Sequence, residues 1–352
     1  VQGAAGGVDF DVQLQARSTR ASAPARRGES AAQALARDLR AVHLRDATAT
    51  GRWADGELAL NALRVRTDEA ELAGNAHVRP GSEPGPGGQA DLRLTAPGTQ
   101  AQLKGELQPN TGAGTLLVQL QDAARALAWA QKLPGASDVL AGSSARGSAR
   151  LDGSWRGGWR DPNIQAQLTA PSLSMTPPRS ASSATPIQLR ALNATAQGRL
   201  AQADLTVQGE VTQGERHLDL RLAANGGRTT PQATLAASSW RAQLTRLQAA
   251  VRDPALGEGN WQAATEGSVP LSWSPAQGGQ LEAGAGALAV TSSAPVSQAR
   301  IQWGPARWRG GELTTTGRIT GLPLEWAERV AGAQLRAAGV TGNVVFNGDW
   351  DA

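Results

Sequence analysis

The sequence predicts an all-β protein: an elongated, strongly curved, trough-like sheet of many short strands with a few short helices. Three observations carry that expectation. Apolar and polar residues alternate with a period of two over much of the chain, as in Val8-Asp-Phe-Asp-Val-Gln-Leu14 and Leu218-Asp-Leu-Arg-Leu222. Glycine (42) and proline (19) are frequent and cluster between the alternating runs, where turns belong. A helix-then-strand unit occurs twice. Leu127-Ala-Trp-Ala-Gln-Lys132 precedes Gly147-Ser-Ala-Arg-Leu-Asp-Gly-Ser-Trp155, and Leu324-Glu-Trp-Ala-Glu-Arg329 precedes Gly342-Asn-Val-Val-Phe-Asn-Gly-Asp-Trp350. Such a duplication across a long alternating stretch marks a modular, extended architecture.

Taken in order, Val8–Leu14 reads as a strand and the Arg/Ser/Pro-rich stretch 17–28 as a loop. Ser30 to Leu44 carries Leu35, Leu39 and Val42 at helical spacing and reads as a short helix over an apolar face. Strands return at Trp53–Leu60 and Leu63-Arg-Val65, before a Pro/Gly-rich tip from Arg79 to Gly88. Leu92-Arg-Leu94, Leu103–Leu107 and Leu116–Leu120 are further strands, and Asp122–Lys132 is the first helix of the repeated unit. Beyond the turns at Gly157-Gly158 and Asp161-Pro162, Ile164–Leu168 and Leu173–Met175 alternate, and Thr176–Pro186 reads as a second long loop.

The strictest alternation follows, in Ile187-Gln-Leu189, Leu205-Thr-Val207 and Leu218–Leu222. Turns expected at Gly209, Gly214 and Gly226-Gly227 make it a meander of antiparallel hairpins. Period two puts Leu218, Leu220 and Leu222 on one face, with His217, Asp219 and Arg221 on the other. The pattern continues through Ser239–Leu247, Leu271-Ser-Trp273, Leu288-Ala-Val290 and Ile301-Gln-Trp303. Arg307-Trp-Arg-Gly-Gly-Glu-Leu313 echoes Arg52-Trp-Ala-Asp-Gly-Glu-Leu58. The expected organisation is a β segment with a helical insert (1–121), a helix–strand unit (122–155), a β-meander trough (156–321) and a second, truncated helix–strand unit (322–352).

Composition narrows the function. With no cysteine there are no disulfides and no thiolate metal sites. The net charge is +4 and the pI about 10.6, yet the arginines are scattered singly among Gln, Asp and Glu. That pattern describes a solvated mixed-charge surface rather than a nucleic-acid interface, so no nucleic-acid partner is expected. No apolar run reaches the length of a spanning helix. The chain starts at Val1 without methionine and stops just after a strand signature, which reads as a fragment cut at both ends.

No catalytic motif presents itself. There is no Gly-x-Ser-x-Gly elbow, no Walker A sequence and no catalytic dyad. Gly284-Ala-Gly-Ala-Leu-Ala289 mimics a dinucleotide fingerprint but lacks its βαβ setting and reads as a glycine-rich hairpin. His43, His77 and His217 are read as solvated, without a second ligand at metal spacing on the same face. No enzyme, cofactor or metal is expected. The tryptophans near turns read as packing anchors, with a groove rim as the alternative.

What remains is a long Leu/Val face that must be covered by a second sheet, a helix, a partner or an apolar ligand. The candidate helices are too few and short to blanket it. A trough with that face inward would shield an acyl chain of ~16 carbons, whose transfer through water costs about 0.8 kcal/mol per CH₂. The candidate lining residues are Leu92, Leu94, Leu116, Val118, Leu120, Ile187, Leu189, Leu205, Val207, Leu218, Leu220, Leu222 and Leu313. The candidate rim or packing anchors are Trp155, Trp240, Trp308 and Trp350.

A set of motifs also carries a resemblance. Gly214-Glu-Arg-His-Leu-Asp-Leu220, Ser239-Trp-Arg-Ala-Gln-Leu-Thr-Arg-Leu247, Trp308-x-x-Gly-x-Leu313 and Gly321-Leu-Pro-Leu-Glu-Trp326 follow one another in an order that resembles the TamB family of AsmA-like proteins. Gly153-Ser-Trp155 with Pro162 and the Leu168 strand also resembles it. The likeness is diffuse over most of the chain and clearest from Leu200 to Trp350. It implies a U-shaped β trough in the periplasm, anchored in the inner membrane by an N-terminal helix outside this chain. It implies phospholipid as cargo, a link to outer-membrane protein and autotransporter assembly, and an Omp85-family barrel, TamA, as partner through regions outside this chain. The alternative reading is a secreted β-solenoid adhesin or passenger segment; a third, an enzyme on a β scaffold, lacks a converging polar cluster.

Overall fold

The computed structural model describes residues 7–15, 44–79, 86–133, 140–176, 185–230, 237–254, 259–275, 279–293, 296–323 and 345–351. The chain divides into two compact units, Val1–Pro186 and Ile187–Ala352. Both are built of antiparallel β-sheet, so the all-β expectation holds. The helices expected over Ser30–Leu44 and Leu324–Arg329 lie outside the described residues, except for Leu44, which opens a strand.

In the first unit nine strands form a simple meander: β1 (Val8–Gln15), β2 (Leu44–Ala54), β3 (Glu57–Thr67), β4 (Glu71–Arg79), β5 (Gly87–Ala96), β6 (Thr99–Leu107), β7 (Gly112–Leu120), β8 (Ser144–Arg156) and β9 (Asn163–Thr176). Each pairs antiparallel with the next. Opposed residues in such ladders share a face, so the register extends the period-two pattern across strands. Leu94 opposes Leu72 and Ala101, and Ala101 opposes Val118, which opposes Leu151. The neighbouring row on the other face reads Ala73, Arg93, Gln102, Leu117 and Asp152. Register shifts at Leu60/Leu63 and Ser148/Arg150 insert bulges that bend the ladders.

One helix, α1 (Ala123–Ala130), is described; it joins β7 to the segment before β8. Asp122 caps it, its Oδ1 accepting from the Ala124 and Arg125 N–H groups at 3.0 and 3.1 Å. The Gly98 carbonyl in the β5–β6 turn accepts from the N–H groups of Gln121 and Asp122, which docks the helix start on the sheet. Gly98 has φ +68, and a Cβ there would stand 2.2 Å from the Asp122 oxygen, so glycine is required. Ala123 is 3 % exposed, and the helix packs along β8.

The second unit starts as a meander of long strands: β10 (Ile187–Arg199), β11 (Gln202–Gln213), β12 (Arg216–Arg228) and β13 (Trp240–Arg252). It then divides. The Trp240–Leu244 half of β13 pairs with β15 (Val269–Ser274), and the Gln248–Val251 half pairs with β14 (Trp261–Thr265). One arm continues from β15 through β16 (Gln280–Ala283) and β19 (Ala306–Arg309) to β20 (Glu312–Thr314). The other continues from β14 through β17 (Gly286–Ser293), β18 (Val296–Trp303) and β21 (Thr316–Pro323) to β22 (Val345–Asp351). Successive strands are therefore broken at mid-length, at 266–268, 284–285, 304–305 and 315, and the breaks form a crease across the sheet.

Trp303 packs this crease. Its indole N–H donates to the Gly284 carbonyl at 3.1 Å. A Cβ on Gly286 would meet the Trp303 ring at 2.3 Å and Val269 at 2.9 Å, so both side chains crowd the space above this glycine. Val269, Ala287 and Ala299 near it are 3 %, 7 % and 2 % exposed, among the most buried apolar residues described.

Several local expectations are corrected. Gly209 and Gly226-Gly227 are not turns but lie inside β11 and β12, and the hairpin turns fall at 200–201 and 214–215. Gly284–Ala289 is not a hairpin either: Gly284 sits in the crease and 286–289 are in β17, on the same course as β16. Strands of 12–14 residues replace the apolar triplets read from sequence in this region. Glycine in a run suggests a turn only when nothing fills the space above it, and here neighbouring side chains or backbone do.

Candidate functional site

The candidate surface is the apolar face of each sheet. In the first unit Leu92, Leu94, Leu116, Val118 and Leu120 all fall on it: Leu92 opposes Leu103, Leu103 opposes Leu116, and Leu120 opposes Thr99 and Ala149. In the second unit Leu218, Leu220 and Leu222 share a face with Val211, Gly209 and Val207 on one side, and with Val251, Ala249 and Leu247 on the other. Leu189 opposes Val211, Leu205 opposes Ala196 and Ala224, and Ile187 ends the row of β10 opposite Gln213. Leu313 opposes Trp308 on the same side.

This face has no layer over it among the described residues. Among the described residues the buried apolar ones are Leu44, Ala96, Ala123, Ala170, Val269, Ala287 and Ala299, and most of them are small. Most of the candidate lining residues are half-buried, shielded by their neighbours in the sheet, whereas Ile187, Leu205 and Leu313 are 38 %, 41 % and 55 % exposed. A soluble sheet normally buries such a face against a second layer.

The tryptophans take two roles. Trp155 is a packing anchor. It opposes Gly114, lies against Gly105 and Gly114, and its indole N–H donates to the Glu106 carbonyl at 3.1 Å. Trp240 opposes Trp273, which opposes Leu281, which opposes Trp308. That row closes the end of the apolar face in the β15 arm, and Trp273, Leu281 and Trp308 remain 36–46 % exposed. Trp350 opposes Gly317 in the β21–β22 ladder.

The opposite face is polar and carries paired charge. Arg64 meets Glu71 at 2.9 Å, Arg150 meets Asp152 at 2.6 Å and Arg300 meets Glu266 at 2.6 Å. Glu57 accepts from Arg79 and contacts His77 Nε2 at 2.9 Å. The Arg79 hydrogen bond, with a smaller contribution from His77, holds the Glu57 carboxyl below its ordinary value. Arg150 does the same to Asp152, and Gln280 followed by Arg307 to Glu282. These three carboxylates are thus kept ionised, the reverse of what a general acid near neutral pH needs.

Two open grooves of about 710 and 610 Å³ lie in the second unit, and both open on the polar side. The first follows the crease, between Arg241, Gln243, Ser272, Glu282 and Arg307. The second spans β11 to β14, between Gln208, Glu210, Asp219, Gln248 and Gln262; of the candidate lining residues it includes only Leu220. For His217 the expectation of no second ligand at metal spacing on the same face is corrected here; His43 lies outside the described residues. Glu210, His217 and Asp219 bring their ligand atoms within 4.8 Å of one another. Period two already put His217 and Asp219 on one face; placing Glu210 beside them required the β11–β12 register.

Compared with known proteins, the chain matches no family model, no curated protein and no solved structure.

Proposed function

We propose that the chain is a non-enzymatic conduit that shields lipid acyl chains along its apolar face, carrying phospholipid between the two membranes of a Gram-negative envelope. The observation that carries this reading is that face itself: continuous by register across consecutive strands in each unit, and left without a covering layer among the described residues. An unshielded acyl chain of ~16 carbons loses on the order of 10 kcal/mol of burial in water, and a row of Leu and Val side chains restores it at every step without chemistry. The paired, ionised opposite face supports the same reading, because it keeps the outside of such a conduit solvated.

Within this proposal the resemblance to TamB supplies the setting: the periplasm, an inner-membrane anchor, and assembly of outer-membrane and autotransporter proteins with a TamA-like barrel, all through segments outside this chain. The β-solenoid adhesin is less favoured because solenoid coils stack strands in parallel, whereas every described ladder here is antiparallel. The test is native mass spectrometry of the purified chain, followed by lipid extraction. Co-purified phospholipid is expected. A lipid-free monomer that also fails to take up phospholipid from vesicles would overturn the conduit and favour the adhesin.

A further inference from the structure

We propose that Glu210, His217 and Asp219 form a binding site for a divalent transition metal, with Zn²⁺ the ion their chemistry fits best. The three come from two adjacent strands. Asp219 opposes Glu210 across the β11–β12 ladder, and His217 lies two residues from Asp219 on the same face. His217 Nε2 is 3.4 Å from Asp219 Oδ2, and one ligand atom from each residue lies within 4.8 Å of the other two. That spread suits a common ion bound at about 2.0–2.2 Å from each donor after small rotamer changes.

The donor set is not carboxylates alone. A neutral imidazole with two carboxylate oxygens favours Zn²⁺ and neighbouring transition ions over Ca²⁺ or Mg²⁺, which take oxygen ligands in larger number. Three protein donors leave a fourth position open. The surroundings leave room for it: Glu210 and Asp219 edge the 610 Å³ groove, whose floor toward β13 and β14 carries the small residues Ala250 and Ala264. The ladder holds the donors in place, since Thr212, Glu210 and Gln208 oppose His217, Asp219 and Arg221 in unbroken register.

The charges around the site set its strength. Arg190 opposes Glu210, Arg252 opposes His217 and Arg221 follows on the same face. Their positive charge offsets that of the two carboxylates and so weakens cation binding.

The experiment is calorimetric titration of the whole chain with ZnCl₂ at neutral pH, paired with the visible absorption of Co²⁺ as a readout of coordination. One saturable site is expected, with intense Co²⁺ bands that Zn²⁺ displaces. His217→Ala should weaken it on the order of tenfold or more. His77→Ala should leave it unchanged, since His77 contacts a single carboxylate, Glu57, that Arg79 already holds. Equal circular dichroism and metal-free unfolding midpoints confirm that the variants fold; should His217→Ala fail to fold, Glu210→Gln and Asp219→Asn take its place. Absence of saturable binding, or equal loss in His77→Ala and His217→Ala, would overturn the site. Lipid content is untouched by either result, so this site stands or falls separately from the conduit.

Discussion

Trp155 lies across Gly114, its opposite number in the neighbouring strand. A Cβ on Gly114 would stand 2.2 Å from the Trp155 ring, so the glycine is the notch that the indole fills. Gly286 and Trp303 repeat the arrangement at the crease of the second unit, where the missing Cβ would sit 2.3 Å from the ring. An indole laid over a glycine restores the apolar contact that glycine lacks, and it lets a large ring sit close to the backbone of a single-layer sheet.

Trp155→Ala should therefore destabilise the first unit by about 2 kcal/mol, below the usual cost of a buried tryptophan because this ring is half-exposed. Gly114→Val should cost a similar amount from the other side, by driving the ring out of its notch. Urea unfolding followed by circular dichroism measures both. If the double variant loses the full sum of the two single losses, the pair is not the coupled contact described.

The two faces of β12 make a paired test of the conduit. Leu220→Asp puts a charge in the row with Gly209 and Ala249, whereas Asp219→Leu changes the polar side opposite Glu210. Phospholipid recovered with the purified chain should fall several-fold in the first variant and stay unchanged in the second. Equal losses in both would contradict the face assignment.

The cap of α1 is a local stability element. Asp122→Ala removes the oxygen that accepts from Ala124 and Arg125 and should cost about 1 kcal/mol, while Asp122→Asn should cost less. Hydrogen exchange at the first turn of the helix reads the difference. Unchanged protection in the alanine variant would mean that the Gly98 carbonyl alone holds the helix start.

Acid should weaken the fold through Glu57, Asp152 and Glu282. Each carboxyl is held below its ordinary value in the folded chain by hydrogen-bonded partners, Arg79 for Glu57, Arg150 for Asp152, and Gln280 with Arg307 for Glu282. A depressed folded value means that the stabilisation is complete above the unfolded value, 4.5 for glutamate and 3.8 for aspartate, and is lost as pH falls through the folded one. Unfolding midpoints measured from pH 6 downward should drop, and Glu57→Gln should flatten part of that slope. The contribution is small, since these pairs are solvated.

What was legible in the sequence is what period two encodes. Alternation in Leu218–Leu222, Leu92–Leu94 and Leu116–Leu120 assigned those side chains to one face, because a strand sends successive residues to opposite sides whatever surrounds it. The repeated Gly-x-Trp endings were visible too, although their meaning was not: the glycine that matters to Trp155 is Gly114, on another strand, rather than Gly153 beside it.

By itself, then, the sequence determined the all-β class, the two-faced strands and the absence of thiol chemistry, since these depend on residue type and local spacing. Only the tertiary structure decided which strands oppose which. Register brought Glu210 to His217 and Asp219, placed Gly209 and Gly226 inside strands, and aligned four mid-strand breaks into one crease packed by Trp303. These are contacts between residues distant in the chain, set by hydrogen-bond pairing between strands, and no periodicity within a strand carries that information.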